Sequence, residues 1–230
     1  MASIKDNLAV VRQQLSQTAT ESGRSPEEIQ LIAVSKTKPA AMINEAVLAN
    51  HNVFGENMVQ EAINKMSALN NIDSIEWHMI GHLQKNKVKF CPGNFQWIHS
   101  IDSIELAKKL EDCCALKQQN INVLIQVNLS KEKSKFGVQQ FLELFQLAET
   151  LHSGHWIKLR GLMTIPEPDL GEASTRKIFE KLRMWRDQLQ KEFFAPEINE
   201  LSMGMTADFK WAIQEGATMI RLGTAIFGPR

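Results

Sequence analysis

No tyrosine occurs among the 230 residues, so no phenol is at hand to act as an acid, a base or a nucleophile. Cysteine is nearly as scarce. The three present, Cys91, Cys113 and Cys114, form an odd set without Cys-x-x-Cys spacing, which indicates neither a disulfide framework nor a zinc site. They read as reduced thiols used as small apolar residues, and no metal centre is expected. Also missing is any apolar run approaching the ~20 residues that a membrane-spanning helix needs. The N-terminal stretch MASIKDNLAVVRQQL reads as an amphipathic helix, with no basic segment leading into an apolar one. A cytoplasmic location is the expectation. Nor is either sign of charge in excess: 26 basic residues balance 26 acidic ones and are spread along the chain. Such a surface offers no footprint for nucleic acid or an anionic membrane, and partners of both kinds are disfavoured.

What is present fits a soluble globular chain. Hydrophobic residues make up 43% and charged residues 23%, enough to bury a sizeable core. There is no linker, internal repeat or low-complexity tract, so residues 1–230 read as a single domain. No apolar stripe stands out as exposed, and a monomer is expected.

Short β-rich runs recur at 30–35, 52–56, 76–81, 95–101, 122–129, 157–165, 199–204 and 218–227. Most are continuously apolar, as strands covered by helices on both faces should be. Between them the period is helical: Ile178, Leu182, Trp185 and Leu189 fall on one stripe, as do Phe141, Leu144, Phe145 and Ala148. Alternating strands and helices imply right-handed crossovers and a parallel sheet. Eight such units fit a small α/β protein of the (β/α)8 TIM-barrel class; an open doubly wound sheet is the second reading. The last run leaves no room for a helix behind it. The N-terminal helix, with Ile4, Leu8, Val11 and Leu15 on one side, is expected to cover that gap. The stretch Ser25 to Glu28 carries a capping box with Pro26 at the first helical position.

A parallel barrel works at the C-terminal ends of its strands, and the residues ending these runs are unusually polar. Lys36 follows the first run, inside LIAVSKTKPA. An ammonium at a half-buried barrel mouth loses solvation, and its pKa falls toward the range where the neutral amine attacks a carbonyl. The alternative is an ion pair with a nearby carboxylate such as Glu56. Around the last two runs, SMGMT and RLGTAIFG carry Gly204 and Gly223, which let backbone amides approach a ligand, and Ser202 and Thr224, which offer hydroxyls. Barrels often build a phosphate site there. Taken with Arg221, the set makes a pocket for a phosphorylated aldehyde, of which pyridoxal phosphate is the obvious candidate.

The blocks LIAVSKTKP, FGENMVQEA, WHMIGHLQKNK, LMTI, LSMGMTADFKWAI and MIRLGTAIFG resemble, in order and spacing, the signatures of the pyridoxal phosphate homeostasis proteins, also called the proline synthetase co-transcribed family. The resemblance covers nearly the whole chain. It implies one barrel similar to the N-terminal domain of bacterial alanine racemases, with an extra N-terminal helix and pyridoxal 5'-phosphate held as a Schiff base on Lys36. By the same resemblance Asn57 lines the cofactor, Ser202, Gly223 and Thr224 form the phosphate cup with Gly204 beside them, and Arg221 faces the pyridine nitrogen. His78 is near the pocket. Thr206 stands where serine is usual, and the C-terminal tail is short.

A guanidinium stays charged and takes up no proton, so a pyridine opposite Arg221 remains unprotonated and withdraws electrons poorly. Alanine racemases add a tyrosine base from a second domain of the partner subunit; this chain has no tyrosine. The expectation is therefore a non-catalytic carrier acting in vitamin B6 and amino-acid homeostasis, with apo forms of pyridoxal phosphate enzymes as partners. The alternative is a slow racemase or decarboxylase using a single base such as His78, His82 or Lys38. A third reading is a phosphosugar-binding barrel in which Lys36 only pairs with a carboxylate.

Overall fold

The computed structural model describes residues 3–69, 74–130 and 136–229. The apolar runs form parallel strands that close into a barrel in chain order: β1 (Gln30–Val34), β2 (Val53–Glu56), β3 (Glu76–Met79), β4 (Trp97–Ile101), β5 (Ile121–Gln126), β6 (Ile157–Met163), β7 (Glu200–Ser202) and β8 (Met219–Leu222). Closure comes from β8 pairing with β1, with Ile32 opposite Arg221. All the strand expectations correspond to strands, and most overrun at the C-terminal end. There the apolar sequence continues while the backbone turns away into the loops that shape the mouth.

Helices lie outside the barrel: α1 (Ile4–Glu21), α2 (Ala40–Leu48), α3 (Val59–Ser67), α4 (Ile104–Lys117), α5 (Phe141–His152), α6 (Glu172–Phe193), α7 (Phe209–Gln214) and α8 (Thr224–Phe227). The connection from β3 to β4 has only a 3-10 turn, Val88–Phe90. The short helix α8 corrects the expectation that no helix follows the last strand. Ile226 and Phe227, read as strand, are buried residues of that helix. Asn7 Nδ2 donates to Ile226 O at 2.9 Å, which ties α1 across the end of the barrel. As expected, α1 buries Ile4, Leu8, Val11 and Leu15, and a Ser3–Asp6 capping box starts it. The Ser25 box also forms, ahead of a 3-10 turn at Pro26–Glu28.

The stripe of α6 is centred one position from its expected place: Thr175, Phe179, Leu182 and Leu189 are buried, while Ile178 and Trp185 are half-buried. Phe179 is wholly buried in the apolar cluster, against which Trp185 packs from its edge. Between sheet and helices runs one apolar cluster that includes Phe54, Trp77, Phe179 and Ile220. Full burial of a side chain such as Phe179 stabilises by roughly 1.5–3 kcal/mol. Cys91, Cys113 and Cys114 are free thiols, and burial pushes Cys91 and Cys114 up to about 12. Inside the barrel Ile32, Leu124, Met163 and Met219 pack together. The rest of the interior includes a buried polar column from β3, β4, β7 and β8, with His78, His99, Ser202 and Arg221 all buried. Among the described residues no helix is long and apolar enough to cross a membrane.

Candidate functional site

Lys36 stands in a tight turn directly after β1. Lys38 N–H donates back to Ser35 O at 3.0 Å, and between them Thr37 has φ of 64°, a conformation a β-branched residue adopts only under constraint. The constraint is visible: Thr37 N–H donates to Glu61 Oε1 at 2.5 Å, and Ser35 N–H to Gly55 O at 3.1 Å. Bent in this way, the turn brings Lys36 to the wall of two adjoining cavities at the C-terminal mouth of the barrel.

The smaller cavity, about 360 Å³, is lined by Lys36, Asn57, Thr206, Arg221, Gly223 and Thr224, with apolar walls from β1 and the loops. Its size falls in the range of small-ligand sites. Thr224 Oγ1 donates to Thr206 Oγ1 at 3.2 Å, so two hydroxyls share one side of it. Asn57 is pinned by the next strand exit, because a Cβ on Gly81 would sit 2.3 Å from Asn57 O. Only glycine allows that approach.

Arg221 is buried. Nη1 donates to Ser202 Oγ at 2.5 Å and Nη2 to Thr164 O at 2.9 Å. Burial draws its pKa down to about 10, with Asp208 acting in the opposite sense, and it remains a cation at neutral pH. Asp208 accepts Met205 N–H at 2.6 Å, and its own burial raises its carboxyl above the usual range.

The larger cavity, about 570 Å³, shares Lys36 and Asn57 with the first and adds Glu61, His82, Lys87 and Phe136. His82 stacks on Phe136 with centroids 3.5 Å apart, and its Nδ1 lies 3.7 Å from Asp102 Oδ2.

The structure thus brings Lys36, Asn57, Arg221, Gly223 and Thr224 to one cavity, but not the other three expected site residues. Ser202 is wholly buried below the mouth, where its hydroxyl meets Arg221 and His99 Nδ1, the latter at 2.8 Å. The hydroxyl on the cavity wall comes instead from Thr206, four residues further up the loop. Gly204, at φ 95°, faces α7: its Cβ would lie 2.6 Å from Ala212 Cβ. His78 is fully buried, stacked on Trp97 at 5.7 Å, and bonded to His99 Nε2 at 2.8 Å and Glu76 Oε1 at 2.7 Å. Burial depresses both imidazoles, His99 further under the influence of His78 and Arg221, while Glu76 opposes the shift at His78.

The carboxylate that the sequence offered to Lys36 is engaged elsewhere. Glu56 Oε1 accepts Lys65 Nζ and the Ser35 hydroxyl, each at 2.6 Å. Of the candidate bases, Lys38 is tied to the C-terminal backbone through Gly228 O at 3.2 Å and Pro229 O at 2.7 Å. His82 lines the larger of the two cavities together with Lys36, and His78 and Lys38 line neither. Among the described residues no group of His, Cys, Asp and Glu is placed to hold a metal ion.

The donor set of the smaller cavity suits a phosphorylated aldehyde: an amine to meet the carbonyl, two hydroxyls beside a glycine at one end, and a buried guanidinium at another.

The chain matches the family described as alanine racemase, N-terminal domain, over residues 1–230. It is 43% identical over 232 residues to the pyridoxal phosphate homeostasis protein of Escherichia coli K12, covering 100% of this chain and 98% of that one. The protein of the same name from Vibrio alginolyticus is also 43% identical, over 233 residues, covering 100% and 99%. Among solved structures, PipY of Synechococcus elongatus PCC7942 with pyridoxal phosphate bound is 37% identical, with a TM-score of 0.89 over 98% of this chain and 100% of that one. A D-threonine aldolase from Filomicrobium marinum, at 13% identity and a TM-score of 0.73 over 96% of this chain and 61% of that one, shares the fold.

Proposed function

The chain belongs to the alanine racemase N-terminal domain family and, within it, to the pyridoxal phosphate homeostasis proteins, and from that premise we propose that it is a non-catalytic holder of pyridoxal 5'-phosphate, bound as a Schiff base on Lys36. One observation carries the reading: Lys36, Arg221, Thr206 and Thr224 line the same cavity of about 360 Å³. When bound, the cofactor supplies an aldehyde that condenses reversibly with amines.

The protein's residues would act on it in fixed roles. Thr206 and Thr224 give hydroxyl hydrogen bonds to the phosphate, beside the backbone at Gly223. Asn57 borders the ring, and Arg221 meets the pyridine nitrogen as a donor. Because a guanidinium gives no proton to that nitrogen, the ring is left a weak electron sink. Holding without turnover is the consequence. The setting proposed is a cytoplasmic, single-domain monomer that buffers the cofactor, serves vitamin B6 and amino-acid homeostasis, and passes the cofactor to apo enzymes.

The test is an absorption spectrum of the protein loaded with pyridoxal phosphate, followed by borohydride reduction and peptide mass spectrometry. A visible band and a reduced adduct on Lys36 are expected, both lost in Lys36→Ala. No adduct, or an adduct on another lysine, would overturn the reading. The presence of His82 in the larger cavity that Lys36 also lines supports one rival, a slow single-base racemase or decarboxylase. Deuterium exchange at Cα across a panel of amino acids, abolished in His82→Gln, would favour it; silence across the panel favours the carrier.

A further inference from the structure

A continuous line of hydrogen bonds crosses the barrel interior from the cavity to its other end. Arg221 Nη1 meets Ser202 Oγ at 2.5 Å, Ser202 Oγ meets His99 Nδ1 at 2.8 Å, His99 Nε2 meets His78 Nδ1 at 2.8 Å, and His78 Nε2 meets Glu76 Oε1 at 2.7 Å. Four strands supply these residues: β8, β7, β4 and β3. Glu76 opens β3 at the N-terminal end of the barrel, where its side chain is 35% exposed. Everything between it and Arg221 is buried.

We propose that Ser202, His99, His78 and Glu76 are positioning residues for Arg221, a one-directional hydrogen-bond relay that fixes the guanidinium as a donor at the cavity and pairs its charge with a carboxylate at the opposite end of the barrel. The direction follows from counting hydrogens. Arginine only donates, so Ser202 Oγ accepts from it. The single Ser202 hydrogen then goes to His99 Nδ1, which places the His99 hydrogen on Nε2. That hydrogen donates to His78 Nδ1, and His78 in turn donates from Nε2 to the Glu76 carboxylate. Every link is satisfied with both imidazoles neutral and with no reversed bond. Cation at one end and anion at the other polarise the neutral links in the same sense, which strengthens each of them.

The surrounding groups agree with this assignment. Burial keeps both imidazoles neutral, and the hydrogen bond from His78 holds the Glu76 carboxyl below its usual range. From β1, Gln30 Nε2 donates to the same Glu76 oxygen at 3.0 Å. From β4, Trp97 stacks on His78 at 5.7 Å; neither Gln30 nor Trp97 carries charge. Beyond β7, Asp208 acts on Arg221. Across the barrel, Arg160 on β6 is engaged with Asn122 on β5 at 2.9 Å.

The relay rests on the proposed function only for the identity of the ligand that Arg221 meets; the hydrogen assignment stands apart from it. The experiment therefore has two arms. In the first, protein labelled with nitrogen-15 histidine and free of cofactor is studied by long-range proton–nitrogen NMR at neutral pH. His78 and His99 are expected as neutral Nε2–H tautomers. In Glu76→Gln, which keeps the side chain's shape and removes the anion, the amide oxygen still accepts from His78 Nε2, so both tautomers are expected to persist while the His78 Nε2 proton resonance moves upfield, a neutral acceptor making the weaker hydrogen bond. Finding either ring as Nδ1–H or doubly protonated in the wild type, or an unmoved His78 Nε2 proton in Glu76→Gln, overturns the relay.

In the second arm the proteins are loaded with pyridoxal phosphate. Glu76→Gln is expected to shift the visible band while leaving the dissociation constant near that of the wild type, and His99→Leu, which removes both ring contacts of the middle link, is expected to shift it in the same direction. An unmoved band in Glu76→Gln also overturns the relay. A wild type that binds no pyridoxal phosphate would sink the functional reading, while the tautomer arm would still decide the relay.

Discussion

Lys65 Nζ lies 2.6 Å from Glu56 Oε1, with 9% and 0% of the two side chains exposed. The pair sits directly behind the turn that carries Lys36. Lys65 also donates to Ser35 O at 2.6 Å and to Glu61 Oε1 at 2.7 Å, and Glu61 in turn accepts Thr37 N–H at 2.5 Å. One ammonium thus braces both flanks of Lys36. Burial raises the Glu56 carboxyl, and the Lys65 hydrogen bond acts against that rise. Removing the ammonium strands a buried carboxylate. Lys65→Met is expected to cost about 3–5 kcal/mol in denaturant-induced unfolding, and Lys65→Met with Glu56→Gln to recover part of the loss. An unfolding midpoint of Lys65→Met equal to that of the wild type would show that the brace contributes nothing.

The two threonine hydroxyls at the cavity give a graded prediction. Thr224→Ala and Thr206→Ala each remove one hydrogen bond to a charged phosphate, worth about 1.5–3 kcal/mol. That corresponds to about 10- to 100-fold weaker binding of pyridoxal phosphate at 1.4 kcal/mol per decade, read by equilibrium titration. Thr206→Ser keeps the hydroxyl and should stay near wild type. Full affinity in both alanine variants would place the phosphate elsewhere.

These sites differ in how plainly the sequence announces them. The barrel was legible because strands shielded on both faces are continuous apolar runs, and Lys36 was legible because it interrupts the end of one. The relay was hidden for the same reason. Glu76 and His78, two apart in EWHM, and His99 in WIHS sit within runs whose apolar outward neighbours dominate the pattern. The usable signal was the alternation itself, polar residues at every second position pointing inward. Ser202 lies buried at the end of β7, bonded to His99 and Arg221, a depth that sequence order along β7 does not reveal. Thr206 stands out in the sequence only as a departure from serine, yet it lines the cavity wall together with Thr224.

His51 gives the fold a pH dependence separate from the site. Its buried ring has Nε2 2.8 Å from Val53 O and meets Phe54 edge-on at 5.4 Å. Burial lowers its pKa from 6.5 to about 4. The unfolded chain therefore takes up a proton near 6.5 that the folded protein refuses until about 4. Stability is fully present above that window and declines as pH falls through it. The interval of about 2.5 units corresponds to about 3 kcal/mol. Urea unfolding at neutral pH and at about pH 4.5 should show a smaller difference in His51→Gln than in the wild type, because the variant removes this contribution while those of His78 and His99 remain. Equal differences in the two proteins would mean that His51 is not held neutral.

Gly204 joins the barrel floor to the cavity wall. Its φ of 95° is open to glycine and strained for any other residue, and a Cβ there would lie 2.6 Å from Ala212 Cβ and 3.0 Å from Phe209 Cα. Its carbonyl also accepts Arg221 N–H at 3.0 Å. Gly204→Ala must push α7 off the barrel or shift the segment that carries Thr206, and either movement disturbs the wall next to Arg221. A loss of roughly 1–3 kcal/mol in stability is expected from the backbone strain alone, together with weaker retention of pyridoxal phosphate. Adding Ala212→Gly removes the nearest side-chain collision and leaves the dihedral strain, so the double variant should regain affinity more fully than stability. Were Gly204→Ala to match the wild type in both measurements, the close packing of α7 would have no part in shaping the cavity; affinity lost without stability would place the strain in the loop and not in the helix contact.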